Sequence, residues 1–216
     1  MPGAVSGAMF GTMPAAPAAA LRERMLLIVL FITVFASSVA FIEPSPHDGL
    51  MGVLLVFALI AGARLERTLL VPFLLLLIWN VAGMMALLHV PGEEKTVQYA
   101  ATSIYLAVAA LIFAALFAQN SKTMPRLATM RIAYIITAVI AVLLGALGYF
   151  DVHGLGKVFA PIGRAAGAFK DPNVYGPFLI WPALFLLDRM VARRIRFVDA
   201  TVLAILLFGL FLSFSR

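Results

Sequence analysis

The chain contains no cysteine, which excludes disulfide bonds, thiolate nucleophiles and cysteine-ligated metal centres. Charge is almost as scarce. Only 12% of the 216 residues are charged, 63% are apolar, and mean hydropathy is +1.05. Soluble domains carry about 25% charged residues, so a chain this poor in polar groups cannot cover itself in water, and a lipid bilayer is its expected solvent. Histidine is limited to His47, His89 and His153, far apart and without ligand spacing, so no metal site is expected. The net charge of +6 sits in short clusters between apolar runs. That pattern points to orientation in a membrane and not to nucleic acid as a partner.

What is present is organised around long apolar runs. Residues 1–21, rich in Ala, Gly and Pro and almost free of charge, read as a disordered cytoplasmic tail. Arg22, Glu23 and Arg24 precede an apolar run with no clear cleavage site before Glu43, so this run reads as an uncleaved first helix and not a removed signal. A spanning helix needs about 20 mostly apolar residues. Seven segments qualify: 25–42, 49–63, 68–90, 96–118, 132–150, 174–187 and 197–214. The expected fold class is all-α, a polytopic transmembrane bundle of about seven helices over residues 22–216. The second and sixth segments are short, each compatible with a half-helix, and Pro177 and Pro182 favour a kink in the sixth.

Connector charges orient the chain. Arg22 and Arg24; Arg64 and Arg67; Lys122, Arg126 and Arg131; and Arg189, Arg193, Arg194 and Arg196 fall in alternate connectors. The opposite side holds Lys95, Lys157, Arg164, Lys170 and Arg216. Basic residues concentrate on the cytoplasmic side, which predicts a cytoplasmic amino terminus and places Arg216 outside. Asp188 and Arg189 read as a surface ion pair, and Asn80 as a hydrogen bond between helices.

The longest outer connector, 151–173, has a distinctive composition. Gly154, Gly156, Gly163 and Gly167 are interleaved with Lys157, Arg164 and Lys170, followed by Asp171-Pro172-Asn173. Asp before Pro is a helix start, with Asp171 as cap and Pro172 at the first helical position. Helix starts attract anions, glycines admit close backbone approach, and arginine clamps phosphate oxygens. These features fit a phosphate or pyrophosphate site at the outer surface. They equally fit a flexible loop meeting lipid head groups, with Asp171 only a cap.

The stretch Arg164-Ala-Ala-Gly-Ala-Phe-Lys-Asp-Pro-Asn-Val-Tyr-Gly176 resembles the motif of the O-antigen ligase and polymerase superfamily, and Leu212-Ser-Phe-Ser-Arg216 resembles that family's Ser-Arg signature one helix later. The resemblance implies a polytopic glycosyltransferase of the bacterial cytoplasmic membrane that takes glycan from undecaprenyl pyrophosphate on the periplasmic face, with no cofactor. The acceptor it implies is lipid A core or another glycan. It casts Arg164 as the catalytic residue holding the pyrophosphate leaving group, with Lys170, Asp171, Asn173 and Arg216 as substrate-binding candidates. Family members usually have more helices, and an acceptor-activating histidine in a large later loop. Here the chain stops in mid-motif, and His153 precedes the first motif. The expectation is therefore a fragment ending at 216, inactive alone. A transporter or flippase would need charge near mid-bilayer, which the cores of the seven segments lack. A non-catalytic scaffold subunit would tolerate loss of Arg164.

Overall fold

The computed structural model describes residues 17–42, 44–87, 94–119, 121–192 and 195–213. Among them the chain is all-helical, with one isolated bridge between Ala40 and Phe169 as its only extended pairing. The helices are α1 (Pro17–Phe35), α2 (Pro46–Ile60), α3 (Leu70–Leu87), α4 (Glu94–Ala118), α5 (Thr123–Tyr149), the single-turn α6 (Gly156–Phe159), α7 (Pro172–Ala192) and α8 (Phe197–Ser213). The stretches Arg67–Leu87, Lys95–Ala118, Thr123–Tyr149 and Pro172–Ala192 are long and apolar enough to cross a membrane, and α2 and α8 are shorter apolar helices. By length and composition the chain is a membrane protein.

Three boundaries differ from expectation. Where the sequence predicts a tail over 1–21, α1 already begins at Pro17; proline suits the first helical position and the alanines after it are strong helix formers. The first apolar run reaches Ile42, yet α1 stops at Phe35 and tightens into a 3₁₀ turn over Ala36–Ser38. The reason is a competing set of partners. The Thr137 hydroxyl of α5 lies 2.7 Å from the Phe35 carbonyl and 2.6 Å from Ser38 Oγ, and Ser37 Oγ donates to the Val34 carbonyl at 2.6 Å. The carbonyls orphaned at the helix end are thereby satisfied. Finally, the sixth segment is not short: α7 runs 21 residues, straight through Pro177 and Pro182.

Core packing divides into two clusters that share α5. Leu26, Leu30, Met51, Leu54 and Leu116 form one with Ala133, joining α1, α2, α4 and α5. Ala138, Ala141, Val142, Tyr175, Leu179, Leu203 and Leu206 form the other, joining α5, α7 and α8. Helix α5 suits this central role because Ala133, Ala138, Ala141, Gly145 and Gly148 let neighbours approach its backbone, which is how helices associate in lipid. Helix α3 has no buried residue and packs chiefly on α4.

Hydrogen bonds define the two ends of the bundle. At one end Arg126, fully buried, donates from Nε and Nη2 to both carboxylate oxygens of Glu23 at 2.7 and 2.8 Å, and from Nη1 to the Leu116 carbonyl and Gln119 Oε1. Lys122 approaches Glu23 at 3.1 Å, and Gln119 donates to the Gly62 carbonyl. Arg131 pairs with Asp188, and Arg189 with the buried Asp199. This corrects the reading of Asp188 and Arg189 as one surface pair: each reaches a different helix. Asn80 likewise bonds within its own helix, to the Leu76 carbonyl at 2.8 Å, and among the described residues not across to another. The opposite end carries the 151–171 connector.

Candidate functional site

The connector is not a loose loop. Asp151 and His153 adopt positive φ, and Asp151 Oδ1 accepts the Gly156 N–H at 2.9 Å, winding the chain into α6 over the end of α5. From Ala165 to Phe169 every residue is buried. Ala165 donates its N–H to the Leu212 carbonyl of α8 at 3.2 Å, and Ala40 donates to the Ala168 carbonyl at 2.9 Å. The segment therefore drops back between α5, α8 and the turn after α1. Gly167 has φ +55°, and a Cβ there would lie 2.9 Å from the Ala141 carbonyl. Its glycine serves close packing on α5; ligand approach was the sequence-based expectation. Around Gly163, by contrast, there is open space.

Arg164 sits at the rim of this fold-back, half-buried. Its Nε donates to the Ser213 carbonyl at 2.5 Å, and its Nη2 to Asn173 Oδ1 at 3.3 Å. Asp171 Oδ1 accepts the Asn173 N–H at 2.7 Å, and the Asp171 carbonyl accepts from Val174 and Tyr175. Asp171 is thus a true helix cap, with Pro172 as the first residue of α7. Ser213, Arg164, Asn173 and Asp171 form one continuous chain of contacts between the last turn of α8 and the first turn of α7. A cation at the carbonyl end of one helix also complements its dipole.

Of the sequence-chosen residues, the structure brings together Arg164, Asp171 and Asn173. Lys170 is exposed immediately before the cap. Arg216 lies outside the described residues, as does His89. His153 is exposed on the first turn of the connector, and no hydrogen bond among the described residues ties it to Arg164. Sequence reasoning missed Tyr175. It is fully buried directly behind the site, its ring against Gly167, and its hydroxyl has no hydrogen-bond partner among the described residues. A Cβ at Gly145 or Gly209 would lie 2.9 or 2.8 Å from that hydroxyl. The signal was there: Tyr175 belongs to the motif, but one tyrosine on an apolar helix gives no sign of its depth.

No group of three or more His, Asp or Glu among the described residues is placed to hold a metal ion. No family model matches the chain, and neither a curated protein nor a solved structure does.

Proposed function

We propose that the chain is the membrane domain of a glycan ligase or polymerase of the O-antigen type, moving sugar chains from undecaprenyl pyrophosphate on the periplasmic face of a bacterial inner membrane. In this reading it crosses the bilayer seven times, with a cytoplasmic amino terminus. The end of the bundle bearing Glu23, Lys122, Arg126 and Arg189 faces the cytoplasm, and the connector end faces out. The observation that carries the reading is the contact of Arg164 with Ser213 and Asn173, which joins the two family-like segments into one site. Arg164 Nε and Nη2 are held, and among the described residues Nη1 makes no hydrogen bond, so it can meet a phosphate oxygen. Lys170 adds positive field, and the α7 amino terminus, capped by Asp171, lies alongside. An arginine held this firmly at an outer surface stabilises negative charge that develops on a leaving group.

The same contacts also favour a second reading, in which Arg164 only ties α8 to α7 in a non-catalytic membrane subunit. One comparison separates the two. Arg164→Ala is made in the complete gene product and brought to equal membrane levels, and glycan transfer and thermal stability are both measured. Loss of transfer of about a hundredfold, on the scale of a removed oxyanion donor, with a stability change of a few degrees or less, supports catalysis. Wild-type transfer by Arg164→Ala overturns it.

A further inference from the structure

We propose that the cleft between the starts of α2 and α4 binds sugar rings of the glycan. This rests on the glycan-transfer reading and deepens it, adding a carbohydrate subsite apart from Arg164. The cleft is open on one side and offers about 930 Å³, within the roughly 300–1,000 Å³ of ligand-holding clefts. Its lining departs from the rest of the helical surface: Asp48, Lys95, Gln98, Tyr99, Thr102 and Tyr105 all border it. By contrast, a groove elsewhere on α2 and α4 is lined by Leu55, Leu59, Val108, Leu111 and Ile112.

The chemistry of the polar cleft selects its occupant. An amide, a carboxylate and several hydroxyls match the dense donors and acceptors of a polyol. Among the described residues its one carboxylate and one ammonium balance, so nothing described there selects an anion such as pyrophosphate. Two tyrosine rings supply flat apolar faces, with Tyr99 75% exposed and open to stacking. An acyl chain in the same place would strip water from these groups and return nothing. The cleft is also built. Asp48 is fixed because its Oδ2 accepts the Ser45 N–H at 2.7 Å. It opens at the connector end of the bundle, because the Ala40 bond to Ala168 ties the segment leading into α2 to the fold-back that carries Arg164. A glycan too long for the Arg164 site would have polar wall to follow along this end.

The test is photocrosslinking in the full chain. p-Benzoylphenylalanine is incorporated at Tyr99, and separately at Leu59 in the apolar groove, in cells that make lipid-linked glycan, and adducts are purified after irradiation. The expected result is a carbohydrate-positive adduct at position 99, weakened by Gln98→Ala, with phospholipid alone captured at position 59. Phospholipid alone at position 99, or equal sugar capture at both, overturns the cleft. In a transfer assay, Gln98→Ala is expected to raise KM for the glycan substrate about tenfold, the scale of one or two lost hydrogen bonds; an unchanged KM counts against the cleft. The two readings fail separately. If Arg164→Ala abolishes transfer but position 99 captures only lipid, the subsite falls and the transfer reading stands. Sugar capture at position 99 with no transfer by the wild type would do the reverse.

Discussion

The guanidinium of Arg164 lies 2.5 Å from the carbonyl oxygen of Ser213, although the two residues are 49 positions apart. That bond makes the carbonyl end of α8 and the amide end of α7 neighbours, one rich in acceptors and the other in donors. Arg164 is the cation between them. Anything that shifts α8 along its axis moves Arg164, and the geometry of the outer site follows.

The cap of α7 can be removed without touching Arg164. Asp171→Ala is expected to cost about 1 kcal/mol, which for a chain of this size is a fall in Tm of roughly 2–4 °C. Asp171→Asn, which keeps a side-chain acceptor, should stay close to wild type. Thermal unfolding of the detergent-purified protein distinguishes them, and equal losses from both would show that the charge matters more than the bond.

Behind the site, Tyr175 fills the space left by Gly145 and Gly209. Gly209→Ala is expected to destabilise by about 1–3 kcal/mol through overpacking, because the new methyl group meets Val142 and the Tyr175 hydroxyl. Tyr175→Phe removes a buried hydroxyl that has no partner among the described residues and should leave stability unchanged or raised. A clear drop in Tm for Tyr175→Phe would reveal a partner for that hydroxyl.

At the other end, Glu23 precedes the apolar run that starts at Met25. Burial pushes its pKa up, but hydrogen bonds from Arg126 and Lys122 and their positive charges outweigh this and hold its carboxyl below the usual range. The stabilisation is therefore present above the ordinary Glu value and is lost as pH falls through the lowered one. Glu23→Ala strands the buried Arg126 and should cost about 3–5 kcal/mol, with part recovered in Glu23→Ala/Arg126→Leu. In acid titration of Tm, the wild type should lose stability that Glu23→Ala has already lost. Parallel curves would rule the pair out as a source of acid sensitivity.

Because the chain has no cysteine, single cysteines report sidedness cleanly. Val158→Cys on the connector is expected to react with a membrane-impermeant maleimide in intact cells. Met124→Cys, also exposed, should react only after lysis. Reversed labelling overturns the proposed orientation.

Apolar run length and turn chemistry made the helices legible, along with Asp171 as a cap. Both are local properties. The end of α1 was not legible, because the residues that stop it include Thr137, about a hundred positions later. Nor was the true length of α7: its prolines argue for interruption, yet one helix runs through them, packed against α5 and α8. The candidate site was half legible. Motif spacing linked Arg164 to the end of the next helix, but nothing in a glycine-rich stretch separates a glycine that waits for a ligand from one pressed against Ala141. Arg126 looked like any connector charge, since its burial depends on Glu23, Leu116 and Gln119 meeting in space.

The pairing of Glu23 with Arg126 has a consequence for how the protein is made. Translation proceeds at about 5–20 residues per second, and 103 positions separate the partners. Glu23 therefore emerges from the ribosome roughly 5–20 s before the guanidinium that will neutralise it. Throughout that interval α1 lacks both its ion pair and the Thr137 hydroxyl that satisfies its far end. Its final seat is vacant until α5 arrives. Biogenesis must hold the first helix in an unfinished state, so defects in α5 should appear first as misplaced or degraded nascent chains.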